Sequence, residues 1–390
     1  MKINRLFFAI IPIAALAILV YGILRIGPEA LTLGEVPDVE EITIQWTTLS
    51  KGEIKLDVIN SGPDPVTIAQ VMIDDAYWQF SMEPSDGVLK RLQRGTITIP
   101  YHWVEGETHA IRLISRNGVT FDSEIPVAIE SPTPNAKSFW TFVLLGVLIG
   151  VVPVGLGLLW YPVIKTLSAK VMRFVLALTV GLLVFLGIDT IEEGFEISEA
   201  LPGAFQGKTL FICSALLVFL ALLIIGQVSA KKGTNGKRSP EMLLAIMVAL
   251  GIGLHNIGEG LAVGSAYVLG EVASASMLVL GFTLHNITEG LAIIAPAARQ
   301  KLKIRHLVGL GALAGVPTIA GTLIGGFTYS NFWALVFFGV AAGAIFQVVY
   351  AIMVSPMMRD ENRELALPEN YYGFVCGLAI MYGTGLLIAV

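Results

Sequence analysis

The sequence predicts an all-α polytopic membrane bundle of eight core transmembrane helices, preceded by an N-terminal membrane anchor and an extracytoplasmic all-β domain of the Ig-like sandwich type. Three observations predict it. Of 390 residues, 55% are hydrophobic and only 14% charged, against roughly 25% charged in a soluble domain, and mean hydropathy is +0.74. From Ser138 onwards, apolar runs long enough to span a bilayer follow one another. Between about Gly27 and Asn135 the pattern is instead a polar–apolar alternation broken by turn residues.

The first apolar run, "LFFAIIPIAALAILVYGIL" (Leu6–Leu24), follows Lys2 and Arg5. It suits a signal peptide or an uncleaved anchor. No convincing small-x-small cleavage site follows it, which favours an anchor over residues 1–26. Either way the following segment is sent across the membrane.

Residues 27–137 hold "EITIQW", "EIKLDVIN", "PVTIAQVMID", "GTITIPYHW", "HAIRLISRNGVTF" and "EIPVAI". Six or seven such strands in about a hundred residues predict a β-sandwich, with Asn117–Gly118 as a two-residue hairpin turn. The chain has two cysteines, Cys213 and Cys376, both in later apolar runs, so an antibody-type disulfide is excluded here. His102 and His109 stand near Glu105 and Glu107. That grouping hints at a metal site, although an ordinary strand surface accounts for it more simply.

Residues 138–390 divide into runs at about 139–161, 171–191, 209–228, 242–269, 273–298, 307–327, 332–354 and 371–390, each near the roughly 20 residues a spanning helix needs. Loop charge sets their orientation. Alternate loops carry Lys165, Lys170 and Arg173; Lys231, Lys232, Lys237 and Arg238; Arg299, Lys301, Lys303 and Arg305; Arg359 and Arg363. The remaining loops hold only Lys208. Basic loops face the cytoplasm, so the β domain and the C-terminus lie outside in a multi-pass plasma-membrane protein.

Within this apolar region one polar pattern occurs twice: "LHNIGEG" from Leu254 and "LHNITEG" from Leu284. His255 lies fifteen residues before Gly270 and His285 fifteen after it, so in an antiparallel helix pair both imidazoles fall at one depth near the bilayer midplane. His and Glu are four apart, and Asn and Glu three apart, which places them on one helix face. Glu259 then rises one turn outwards and Glu289 descends one turn inwards, a ladder with the imidazoles in its middle. A charged residue at the bilayer centre costs roughly 2.5–3.5 kcal/mol. A divalent cation offsets that cost, and imidazole, carboxylate and amide oxygen together suit Zn²⁺, Fe²⁺, Co²⁺ or Mn²⁺. Gly260 and Gly290 allow the two backbones to approach.

The paired motifs "HNIGEG" and "HNITEG" resemble the H-N-x-P-E-G motifs of the ZIP family of divalent-metal transporters, in particular its GufA-like prokaryotic branch. The resemblance covers about residues 138–390 and implies eight helices, outside termini and metal import. It also implies a mid-membrane site with His255, Asn256, Glu259, His285, Asn286 and Glu289 as ligands. Metal is then the transported substrate, and no cofactor is called for. The chain departs from the pattern with Gly258 and Thr288 at the motif proline, and with Val316 before Pro317 where members carry a glutamate.

Asp189, Glu192, Glu193, Glu196 and Glu199 gather at the outer end of the second core helix. Asp189 and Glu193, four apart, are candidates for an entrance site, with a solvated acidic loop as the alternative. Gln347, Thr318 and Thr322 suit helix-to-helix hydrogen bonds, and His306 an interface position. "GALAG" (311–315) suggests helix contacts within a protomer or in a homodimer. The "SAKKGTNGKRSPE" loop holds no histidine. Nothing in the sequence suggests a nucleic-acid partner, and the partner of the β domain stays open. The same ligand set also suits an intramembrane zinc-dependent hydrolase, or a metal sensor or receptor that has lost transport.

Overall fold

Side-chain alternation organises the first folded region. In the computed structural model, which describes residues 14–22, 39–233, 239–268, 272–328, 330–359 and 364–388, nine strands form two antiparallel sheets. One runs in the order β1 (Ile42–Ser50), β2 (Glu53–Asn60), β7 (Arg94–Ile99), β5 (Ser81–Glu83). The other runs β4 (Ala76–Trp78), β3 (Val66–Ile73), β8 (His109–Ser115), β9 (Thr120–Ile125), with β6 (Val88–Leu89) against β3. Along β2, Ile54, Leu56 and Val58 point inwards while Lys55 and Asp57 point out. They share a core with Val66, Val71, Ile111 and Leu113 of the other sheet.

Three expectations change here. The count exceeds six or seven because β4, β5 and β6 are only two or three residues long, too short for alternation to register. Asn117–Gly118 closes a longer loop than a two-residue hairpin. Ser115 N–H bonds the Val119 carbonyl, so Arg116, Asn117 and Gly118 all lie in the loop and Gly118 takes φ +85°. Two-residue turns stand instead at Lys51–Gly52, between the paired Ser50 and Glu53, and at Asp74–Asp75, between the paired Ile73 and Ala76, the latter with φ 51° and 64°. Finally, His109 is buried, and its Nδ1 lies 2.8 Å from Asp74 Oδ2. It is therefore a core partner of that turn, and forms no metal-holding group with His102, Glu105 or Glu107 among the described residues.

Residues 14–22 are helical, inside the expected N-terminal anchor. Lys2, Arg5, Lys237, Arg238, Gly270 and Arg363, which enter the charge and depth expectations, lie outside the described residues.

Eight helices follow: α1 (Ala136–Ile164), α2 (Ala169–Glu199), α3 (Gly207–Gly233), α4 (Pro240–Val268), α5 (Val272–Ile294), α6 (Ile304–Phe327), α7 (Asn331–Val354) and α8 (Pro368–Ile388). Asn135 Oδ1 caps α1 through the Ser138 N–H, and Ser168 Oγ caps α2 through the Val171 N–H. Among the described residues, the first seven contain spans long and apolar enough to cross a membrane. α8 is 21 residues long and is not among those seven. α2 runs two turns beyond the expected end near residue 191, so its acidic residues stand on a helix and not in a loop.

Glycine sets how the helices meet. Lipid offers helices no hydrophobic reason to associate, so close backbone packing must supply the attraction. A methyl group on Gly260 of α4 would lie 2.2 Å from the Thr318 carbonyl oxygen of α6, and one on Gly290 of α5 would lie 2.3 Å from the Val154 carbonyl of α1. Gly181 and Gly377 join α2 to α8, and Gly343 joins α7 to α3, in the same way. Glycine seams thus join α1 to both α5 and α6, α4 to α6, α2 to α8 and α3 to α7. Gly260 and Gly290 do not draw α4 and α5 together as expected. Each follows its glutamate by one residue, about 100° round the helix, and so faces a different neighbour.

Candidate metal centre

α4 and α5 present their polar motifs to one another. His255 Nε2 lies 3.2 Å from Glu259 Oε1, one turn along the same helix, and His285 Nε2 reaches the same oxygen from α5 in a short contact. One ligand atom from each of His255, Glu259 and His285 falls within 4.8 Å of the others, and all three residues are buried. The matched depth of the two imidazoles, read from their spacing around Gly270, agrees with this contact.

The outer shell orients these groups. Thr190 of α2 donates its only proton to the Leu186 carbonyl at 2.7 Å, so its oxygen is left to accept from His255 Nδ1, 3.4 Å away. With the proton of His255 on Nδ1, Nε2 turns a bare lone pair towards Glu259. A lone pair facing a carboxylate is repulsive, and a cation placed between them makes both contacts attractive. Asn286 Nδ2 uses both hydrogens: one goes to Glu259 Oε2 at 2.8 Å and the other to the Ile149 carbonyl of α1 at 2.8 Å. Asn256 Nδ2 donates to the Ala314 carbonyl of α6 at 3.2 Å.

What these contacts leave over is a set of acceptors. Asn256 Oδ1, Asn286 Oδ1 and both oxygens of Glu289 are buried without a hydrogen-bond partner. An unpaired buried polar group costs about 1–3 kcal/mol, so three of them in two short motifs is a large uncompensated term. A cation is the kind of partner that a donor-free set of oxygens and imidazole nitrogens can hold.

The expected ladder is only half present. Glu259 turns back to the imidazoles instead of standing a turn away, because Asn286 and both histidines hold it there. Glu289 stays apart from the three-residue group, beside a cavity of about 10 Å³ that it lines with His285, Thr288 and Leu186, roughly the size of one water. Of the entrance candidates, Asp189 is exposed and Glu193 half-buried on α2. Val316 is 48% exposed on α6, whereas Ala314, Gly315 and Thr318 are buried; it does not line the centre. Thr322 makes the expected helix-to-helix bond, to the Phe142 carbonyl at 2.8 Å. Thr318 Oγ1 and Gln347 Oε1 have no partner. His306 folds back on the start of α6, 3.3 Å from the Lys303 N–H.

Sequence reasoning missed Thr190 and the two backbone carbonyls. Thr190 follows Asp189 directly, but nothing in its spacing links it to a motif 65 residues away. Both carbonyls lie three or four residues before a proline in their helix, Pro153 in α1 and Pro317 in α6, and that was the available signal.

Residues 226–387 match the family model of the ZIP zinc transporters. The match takes in both motifs and α4 to α8 almost entirely. Members move divalent metals as substrates and are transporters, not enzymes. The chain is accordingly a multi-pass membrane protein of the metal-transport class, and the hydrolase alternative is set aside.

Proposed function

We propose that this protein carries a divalent transition-metal ion, of the zinc, iron, manganese or cobalt type, across the plasma membrane into the cytoplasm. The ion is held at mid-membrane by His255, Asn256, Glu259, His285, Asn286 and Glu289. One observation carries this reading above the others: a buried carboxylate of α4 gathers an imidazole from each motif, while four further acceptor oxygens of the same motifs have no donor. The alternating loop charges support an orientation with basic loops in the cytoplasm and the β region and C-terminus outside. In that orientation Asp189 and Glu193 stand on the outer side of the site and attract cations to it.

The division into an anchor (1–26), a β domain (27–137) and a transporter domain (138–390) follows the change of pattern along the chain. An Ig-like identity for the β domain is supported by its strand order. β1-β2-β7-β5 and β4-β3-β8-β9 correspond to the two sheets of that architecture, with β4 as the added edge strand.

Uptake of radioactive zinc, iron and manganese into proteoliposomes, by the purified protein and by the variant with His255→Ala and Glu259→Ala together, tests the proposal. Uptake is expected in the parent and background flux in the variant. Equal uptake by both would rule the site out as the path.

A further inference from the structure

We infer that the π turn of α1, opened by Pro153, is a positioning element for the metal centre, acting through Asn286. This rests on the transport site proposed above and adds residues outside both motifs.

The ordinary α-helical pattern of α1 is interrupted at Val147–Val151, a π turn whose Val147 carbonyl bonds the Val152 N–H five residues on. Pro153 follows at once. It has no N–H to offer the carbonyl four residues back, which is that of Ile149. The Ile149 carbonyl is the one that Asn286 Nδ2 takes at 2.8 Å. Asn286 is fully buried, and its second amide hydrogen goes to Glu259 Oε2. Both neighbours of Nδ2 are acceptors, so the amide can sit in only one orientation, with Oδ1 left unpartnered. A bare backbone carbonyl in α1 thereby fixes two things at once: which atom Asn286 leaves free for an ion, and where the bridging carboxylate of α4 stands.

Two further facts fit this role. Gly150, within the turn, has no room for a side chain, since a methyl group there would lie 2.1 Å from Thr318 Oγ1; the turn is seated against α6. The other motif repeats the device, Asn256 donating to the Ala314 carbonyl, three residues before Pro317. The helix-bending prolines absent from the motifs at Gly258 and Thr288 are thus found in the two helices that the motif asparagines grip. Pro153 touches no ion in this scheme. It is a positioning residue, worth what the alignment of Asn286 and Glu259 is worth.

Pro153→Ala tests it. The restored N–H draws the Ile149 carbonyl back along α1 and away from Asn286. KM for zinc in proteoliposome uptake is expected to rise about five- to tenfold with maximal rate within twofold, while Pro162→Ala, in the same helix, leaves KM unchanged. The decisive readout is a double-mutant cycle. If Pro153 acts through Asn286, Pro153→Ala changes nothing further in an Asn286→Ala background, whereas additive losses overturn the inference. Should Pro153→Ala not yield folded protein, Asn286→Asp serves. It keeps a ligand oxygen but loses both donor hydrogens, so KM rises if the donors position the site. An unchanged or lower KM overturns the inference. Glu259→Gln is run alongside: if it transports normally, the transport site itself is wrong, and if it alone is impaired, only the role of the turn is.

Discussion

Glu259→Gln is the substitution that puts most weight on the geometry. The side chain of Glu259 is 2% exposed. It meets His255 Nε2 and His285 Nε2 through Oε1 and the Asn286 amide through Oε2. Glutamine keeps its shape but removes the negative charge and puts an NH2 where an acceptor stood. That NH2 must face either the Asn286 amide hydrogens or the two imidazoles with the ion between them, and neither arrangement is attractive. Removing one partner from a buried, charge-paired cluster costs about 3–5 kcal/mol. At 1.4 kcal/mol per factor of ten, metal affinity falls by roughly two to four powers of ten. Titration calorimetry with zinc or cobalt on detergent-purified protein reads this directly. Thermal stabilisation by metal gives a second measure, since a ligand at a hundred times its Kd adds about 2.7 kcal/mol to the folded state and the variant loses that increment at the same concentration. A variant that elutes as the parent does, yet binds within tenfold of it, would show that Glu259 is a structural acid and not a ligand.

Other expectations follow from the same contacts. Glu289→Gln removes the charge of a buried carboxyl whose two oxygens have no hydrogen-bond partner, so the metal-free protein is expected to melt at a higher temperature than the parent in chelator. Gly260→Ala places a methyl group 2.2 Å from the Thr318 carbonyl, and α4 and α6 must separate. Overpacking of this sort costs about 1–3 kcal/mol or more, and a melting temperature equal to the parent's would contradict the glycine seam. In the β region, burial alone raises the Asp74 carboxyl, but hydrogen bonds from His109, the Ala110 N–H and Tyr101 outweigh it and hold the group below its ordinary value of 3.8. Asp74 therefore adds stability above that value, and the contribution is lost as pH falls through the lower folded value. Hydrogen-exchange protection, relative to the intrinsic rate, should fall below pH 4 in the 66–78 segment of the full chain, and Asp74→Asn should flatten that dependence.

The bundle was legible because lipid imposes a coarse rule: an apolar run of sufficient length must be a helix, since no other backbone form satisfies its own hydrogen bonds there. The β region was legible in its long strands for an equally simple reason, the two-residue period of Ile54, Leu56 and Val58. β4, β5 and β6 escaped, as their two or three residues carry no period to detect. At the centre, the histidines and Glu259 were readable because their contacts are either local, four residues along one helix, or fixed by the symmetry of two copies about one loop. Thr190, Ile149 and Ala314 were not, as each enters through a packing contact between helices distant in sequence, and two of them act through backbone atoms that no side-chain pattern records. The glycine seams lie between these cases. Gly260 and Gly290 were seen to demand a close neighbour, but which neighbour depends on how α1 and α6 are placed, and that is a property of the whole bundle.

The two motif copies are nearly the same in sequence and unlike in circumstance, and the difference decides what each glutamate can do. Asn286 spends one hydrogen on Glu259, while Asn256 donates to the Ala314 carbonyl and lies beside Glu289 without closing a hydrogen bond to it. Glu259 is held from three sides and is suited to bind. Glu289 is free to change partner, and on the proposed topology it lies one turn, about 6 Å, nearer the cytoplasm than His285. On the proposed function, an ion leaving inwards would pass from a fixed carboxylate to an uncommitted one. Substitution by glutamine should therefore separate the two: Glu259→Gln raises KM steeply, whereas Glu289→Gln lowers the maximal rate of uptake by at least tenfold with KM changed less than threefold. Equal effects on both constants would mean that the two carboxylates act as one site, and that the inequivalence of their hydrogen bonds has no kinetic consequence.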